Sequence, residues 1–129
     1  EAGFVFDTTL GFNDRPAFRN GAALQFHPWD SDSNRAMDLS ALPMVIMDSH
    51  LYDYSDLTEI QRHQQIAYWV DEIRFVGGRA TVLWHQRVMS RDYGWDASYR
   101  ALVSMIGSER PSPKVTGEPD EVAPRWDCG

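Results

Sequence analysis

Cysteine is nearly missing from this chain: there is one, Cys128, in 129 residues. A single thiol closes no intrachain disulfide and builds no zinc cluster. That leaves the compartment open, with a reducing, cytoplasmic one slightly favoured. Positive charge is also scarce. Twelve Lys and Arg stand against nineteen Asp and Glu, a formal net charge of -7. Phosphates would be repelled, which argues against non-specific binding to nucleic acid or anionic membranes, and no basic run interleaved with aromatics appears. No apolar stretch nears the roughly 20 residues of a membrane-spanning helix. The opening EAGFVFDTTL lacks the basic start and long apolar run of a signal peptide. Glycine-rich phosphate loops, the dinucleotide fingerprint, GxSxG and HExxH are all missing.

What is present reads as one ordinary globular domain, 43% hydrophobic and 24% charged. Five Trp and five Tyr are many for this length. They suit a core built on aromatics, or a sugar-binding face on which flat rings stack against pyranoses, and composition does not choose between these. GFVFDTT (3 to 9) is a short β-type run, and Gly3 has the character of a helix C-cap whose helix is missing. Residues 10 to 21 form a turn-rich loop, AALQF (22 to 26) a short strand, and 27 to 38 a polar loop. PMVIMD (43 to 48) is a continuous apolar run of the kind buried on both faces of a parallel sheet. A helix is predicted over 57 to 76, with Asp56 and Glu59 as capping box and Ile66, Trp69, Val70, Ile73 and Val76 as its apolar stripe. Gly77 and Gly78 stop it. ATVLWH (80 to 85) is the next strand. Asp96 opens a second helix with Trp95, Tyr99, Leu102, Val103 and Ile106 on one side. Residues 108 to 129 are Pro-rich and read as an extended or disordered tail. No internal repeat is evident. Strand, helix, strand, helix predicts an α/β fold with three to four mostly parallel strands and two main helices. So few strands close no barrel, and residues 1 to 107 look like the C-terminal part of a larger α/β unit.

Parallel α/β folds collect functional groups at the C-terminal ends of their strands. Three expected strand ends carry polar residues: Asp7 after GFVF, Asp48 after MVIM and His85 after TVLW. Asp7 and His85 are expected at the same edge of the sheet. The bland alternative for Asp48 is a cap on the loop that follows, and for His85 a satisfied core histidine. Trp84 beside His85, and Gln86 and Arg87 after it, indicate a strand leaving the core, where a histidine suits proton transfer. Of the other histidines, His63 is expected on the solvated face of the first long helix. His27 and His50 fall in loops at strand ends. No pair has metal-ligand spacing on a helix, and no metal ligand is assigned in this chain.

Four blocks carry a family resemblance. EAGFVFDTTLGFNDRPAFRNGAALQFHPWD, LPMVIMDSHLYDY, GGRATVLWHQR and YGWDASYRAL resemble, in that order, the C-terminal half of polysaccharide deacetylase-like proteins with the NodB-homology fold, a distorted (β/α) barrel. The likeness covers about residues 1 to 106. It implies a partial (β/α) barrel here, and metal-dependent amide or ester hydrolysis on acylated sugars. In such an enzyme a divalent metal, zinc or similar, activates water, an aspartate acts as base, and a late strand-end histidine protonates the leaving amine. His85 in VLWHQ matches that histidine, and Asp7 an acidic position lining the cleft. Arg19 and Asn20 in FRNG match the loop over the active-site mouth; with Asp48 and Trp84 they are the candidate substrate-binding residues. The family's Asp-Asp strand end, its His-x-x-x-His pair and its arginine motif have no counterpart and would lie upstream of Glu1. The chain is therefore expected to hold the acid without base or metal, and to be inactive alone. Its expected partners are an acylated polysaccharide or glycan, and either an N-terminal half-barrel or a second copy of itself along an exposed strand edge. The alternative is a non-catalytic carbohydrate-binding or assembly module.

Overall fold

The computed structural model describes residues 3–108, so the tail expected over 108 to 129 lies outside the described residues apart from Ser108. In chain order the elements are β1 (Phe6–Asp7), β2 (Trp29–Asp30), β3 (Arg35–Ala36), β4 (Ser40–Ala41), β5 (Met44–Met47), α1 (Asp48–Tyr52), α2 (Glu59–Phe75), β6 (Thr81–Leu83), a 3-10 turn (Gln86–Met89) and α3 (Asp96–Gly107). The chain is α/β, with short parallel strands and helices packed on them.

Residues 40 to 47 form the spine. Successive side chains of a strand point to opposite faces, yet Val45 and Ile46 are 0% and 1% exposed. Both faces are thus covered, which is why the run is continuously apolar. β1 lies parallel to β4, with Phe6 opposite Ser40 and Asp7 opposite Ala41. β6 lies parallel to β5, with Ile46 opposite Val82 and Met47 opposite Leu83. Pro43 has no N–H to donate, and the spine falls into two ladders around it. Single bonds bridge the gap: Met44 N–H donates to the Leu10 carbonyl at 2.9 Å and Thr81 N–H to the Pro43 carbonyl at 2.8 Å. The strands form three two-stranded ladders, and they close no barrel among the described residues.

α2 packs Ile66 and Val70 into the core, with Trp69 and Ile73 beside them. Its cap is Thr58, one turn from Gln61, and not the Asp56–Glu59 pair: the Thr58 hydroxyl accepts from Gln61 N–H while Gln61 Oε1 accepts from Thr58 N–H. The helix ends in a Schellman motif. Gly77 takes a φ of +61°, and the N–H groups of Gly77 and Gly78 donate to the carbonyls of Arg74 and Ile73. Gly78 then passes so close to Ala23 that a Cβ would collide with the Ala23 carbonyl. α3 crosses α2, burying Leu102 and Ser98.

Several expectations need correcting. Residues 22 to 26 are not a strand; only Phe26 bridges to Ala41. The polar loop at 27 to 38 contains an antiparallel hairpin, β2–β3. Asp48 opens a helix rather than a loop, and Val76 lies past the end of the buried stripe, 52% exposed. Val103 and Ile106, expected on the packed side of α3, are 50% and 58% exposed. No helix among the described residues is long and apolar enough to cross a membrane.

Candidate active site at the ends of two parallel strands

Because β5 and β6 run in parallel with Met47 opposite Leu83, the residues just beyond them emerge side by side. Those residues are Asp48 and, one position past Trp84, His85. Asp48 is 0% exposed, and donors surround its carboxylate. Oδ1 accepts from Ser49 N–H at 2.8 Å and from His85 Nδ1–H at 2.8 Å. Oδ2 accepts from the His85 backbone N–H at 2.7 Å. The Ser49 hydroxyl adds a longer contact of 3.4 Å to Oδ1. A carboxylate is acceptor-only, so the bond to Nδ1 sets the proton there in the neutral ring. Nε2 is left over. The His85 side chain is 39% exposed, and no hydrogen bond occupies Nε2 among the described residues. The arrangement is a buried carboxylate orienting an imidazole whose far nitrogen is open to a reactant. It can hold the tautomer, stabilise an imidazolium and pass a proton at Nε2.

The other candidates are dispersed. Asp7 is in register with Ala41, not with the Met47–Asp48 end of the spine, so it does not share an edge with His85. The short β1 ladder ends there in a tight turn: Thr9 donates its hydroxyl and its N–H to Asp7 Oδ1 at 2.7 and 2.8 Å. These bonds hold the Asp7 carboxyl below its ordinary range, the hydroxyl contributing most. Arg19 and Asn20 are exposed in the turn after Phe18, and no hydrogen bond among the described residues joins them to the pair. The Trp84 ring packs on the core and lies 5.6 Å from Tyr99. Its indole N–H is buried with no partner among the described residues.

Of the remaining histidines, His27 lies in a loop as expected, whereas His63 and His50 differ from expectation, His50 by falling within α1. His63 is half-buried rather than solvated, its Nε2 enclosed and unpartnered among the described residues. His27 bonds the Leu39 carbonyl through Nδ1 at 3.0 Å. His50 is 2% exposed, and both ring nitrogens are engaged: Nδ1 accepts from Met47 N–H and Nε2–H donates to the Phe12 carbonyl, each at 3.0 Å. Burial pushes its pKa down, against smaller opposing effects of the Phe12 bond and of Asp14 and Asp48. No group of three His, Cys, Asp or Glu side chains suited to a metal gathers among the described residues, and Asp48 and His50 already have protein partners.

The aromatics fall into two groups. Trp69 and Trp84 pack on the core. One turn after Asp48, Tyr52 stacks on Trp95 with centroids 4.3 Å apart and planes 8° off parallel. The Tyr52 hydroxyl donates to Ser98 Oγ at 2.7 Å, and the Arg62 guanidinium lies 4.1 Å from the Tyr52 ring centre. Tyr93 meets Trp95 edge-on and is 48% exposed.

Sequence reasoning found Asp48 and His85 separately and missed their bond. The signal was available: two apolar runs fit for parallel pairing, one ending in Asp and the other in His. Set against known proteins, the chain matches no family model, no curated protein and no solved structure.

Proposed function

We propose that Asp48 and His85 are the proton-transfer pair of a polysaccharide deacetylase-like carbohydrate hydrolase acting on non-peptide C–N bonds, and that this chain supplies the acid half of that chemistry. The single observation that carries the proposal is the 2.8 Å bond from His85 Nδ1–H to the buried Asp48 carboxylate, with Nε2 left open. When the tetrahedral intermediate of an amide collapses, the departing amine needs a proton. His85 Nε2–H gives it, and Asp48 holds the ring in line and offsets the charge that the ring carries beforehand. Such positioned acid catalysis is worth roughly 100- to 10,000-fold. That is well short of a complete enzyme, so the chain alone is expected to release no acetate. An acylated glycan is the proposed substrate, with Tyr93 the exposed ring available for stacking. The fold proposed for the working unit is a partial (β/α) barrel.

A second reading, an assembly module, draws on a different observation. Phe4, Val5 and Phe6 are 79%, 63% and 57% exposed. β1 pairs on one side only, with β4, among the described residues. Beside it lies an apolar groove of about 460 Å³, lined by Phe6, Val45, Val70, Ile73, Leu102 and Ile106. An N-terminal half-barrel or a second copy would cover this face.

The test uses acetylated chito-oligosaccharides with and without zinc, cobalt or nickel. Acetate release and the ring resonances of His85 are both followed. Shifts of the His85 ring without acetate release are expected. Turnover that chelator abolishes and His85→Ala lowers would show that this chain carries a complete site. Oligosaccharides that leave His85 unperturbed at millimolar concentration would remove the carbohydrate assignment.

A further inference from the structure

His50 joins two pieces of chain that frame the site from different directions. Through Nδ1 it accepts the N–H of Met47, the residue that leads β5 into α1, and so closes the first turn from which Asp48 projects. Through Nε2–H it holds the carbonyl of Phe12, thirty-eight positions away in the loop that leads on to Arg19 and Asn20. Only one protonation state serves both bonds. A neutral ring with its proton on Nε2 has a lone pair on Nδ1 for Met47; a charged ring has donors on both nitrogens and meets the Met47 N–H head-on.

We propose that His50 is an acid-sensitive latch that, while neutral, pins the Phe12 loop to the first turn of α1 and, once protonated, releases the Met47 bond and loosens the loop. Among the described residues, the charged groups that face it are Asp14 from the loop and Asp48 from α1, both of which favour the charged ring. Asp14 is itself paired with Arg15 at 3.0 Å, and Arg15 lies over the Phe12 ring at 4.1 Å. Burial outweighs these carboxylates and holds the pKa of the ring below its ordinary value in the closed form. The sign follows from linkage. The closed form binds the proton less readily than an open form with an ordinary histidine of pKa 6.5. The latch therefore holds fully above that value and weakens as pH falls below it. Other ties of the loop do not titrate, among them the Ala17 N–H bond to the Val45 carbonyl at 3.2 Å and Phe18 against Trp69. The release is thus local to the segment around Phe12 and to the α1 turn.

The latch is independent of what the site binds, and its test uses no substrate. Hydrogen exchange on the full chain gives the protection factor of the Met47 amide, corrected for intrinsic rates, between pH 8 and 5. It should be flat above about 6.5 and fall about tenfold per pH unit below, until the ring charges in the closed form. His50→Gln keeps an acceptor at the third helical position, where glutamine closes a capping box, and cannot titrate. Met47 protection in that variant should not respond to pH. Should the variant fail to fold, ¹⁵N resonances of the wild-type ring decide the matter. A His50 ring with its proton on Nε2 at pH 8 that charges below its ordinary range supports the latch. A flat Met47 profile in wild type, an equal decline in His50→Gln, or a ring protonated on Nδ1 at pH 8 overturns it.

Discussion

The Asp48 carboxylate is the most heavily used side chain of the site. Three N–H groups and a hydroxyl point at it, and it is shut off from water. An asparagine of the same shape turns one oxygen into a donor. That donor then faces either the His85 backbone N–H, leaving two donors opposed, or Nδ1, forcing the other tautomer. Asp48→Asn should therefore cost about 1–3 kcal/mol in urea denaturation, the penalty of an unsatisfied buried polar group; an unchanged midpoint would show that the carboxylate is not held as described. Asp7 is the contrasting case, a carboxylate whose bonds stay within its own turn. Its pKa is depressed by Thr9, so its contribution to stability is present above the ordinary value of 3.8 and is lost as pH falls through the folded value. Thr9→Val removes the larger of the two bonds, and the Asp7 titration followed by NMR should move back up toward 3.8. No movement would mean that the turn bond is not made in solution.

Among the elements, α3 depends on a neighbour for its end. Arg74 of α2 donates to the carbonyls of Met105, Ile106 and Ser108, closing the last turn of α3 from across the helix pair. Charged hydrogen bonds of this kind contribute about 1.5–3 kcal/mol, and Arg74→Met keeps the stem while removing them. The variant should lose about that much stability and fray residues 104 to 108 in hydrogen exchange; equal protection at that end would contradict the cap. At this scale the sequence was most legible where one residue type has one use. The unbroken run at 44 to 47 marked a strand covered on both faces, Gly77 and Gly78 marked the end of α2, and Asp96 its successor's start. Short pieces were illegible. A two-residue strand such as Trp29–Asp30 has no period to read, and its partner Arg35–Ala36 is exposed, so no buried apolar pattern announces the hairpin. Asp48 as a helix opener was hidden because aspartate also ends strands. The site was half legible for the same reason: periodicity locates Asp48 and His85 at strand ends, but only the pairing of β5 with β6 makes them neighbours. The place of Asp7 opposite Ala41 was not legible, because register along the spine is absent from any local pattern.

Taken whole, the chain leaves one side apolar and open. Phe6 and Ile106 line an apolar groove there and are 57% and 58% exposed, and β1 has one unpaired edge among the described residues. Exposed edges invite pairing with another chain. Under the proposed assembly, sedimentation velocity should show association that grows with protein concentration, and Phe6→Lys should reduce it; a monomer at all concentrations would mean that this side needs no partner. At the opposite functional extreme stands the Asp48–His85 pair, on which the proposed chemistry depends. The ¹⁵N spectrum of the His85 ring, recorded at alkaline pH on the full chain and on Asp48→Asn, tests it directly. The wild type should show one tautomer, protonated on Nδ1 with Nε2 bare, and the variant should lose it. A wild-type ring protonated on Nε2, or a mixture indifferent to the substitution, would contradict it.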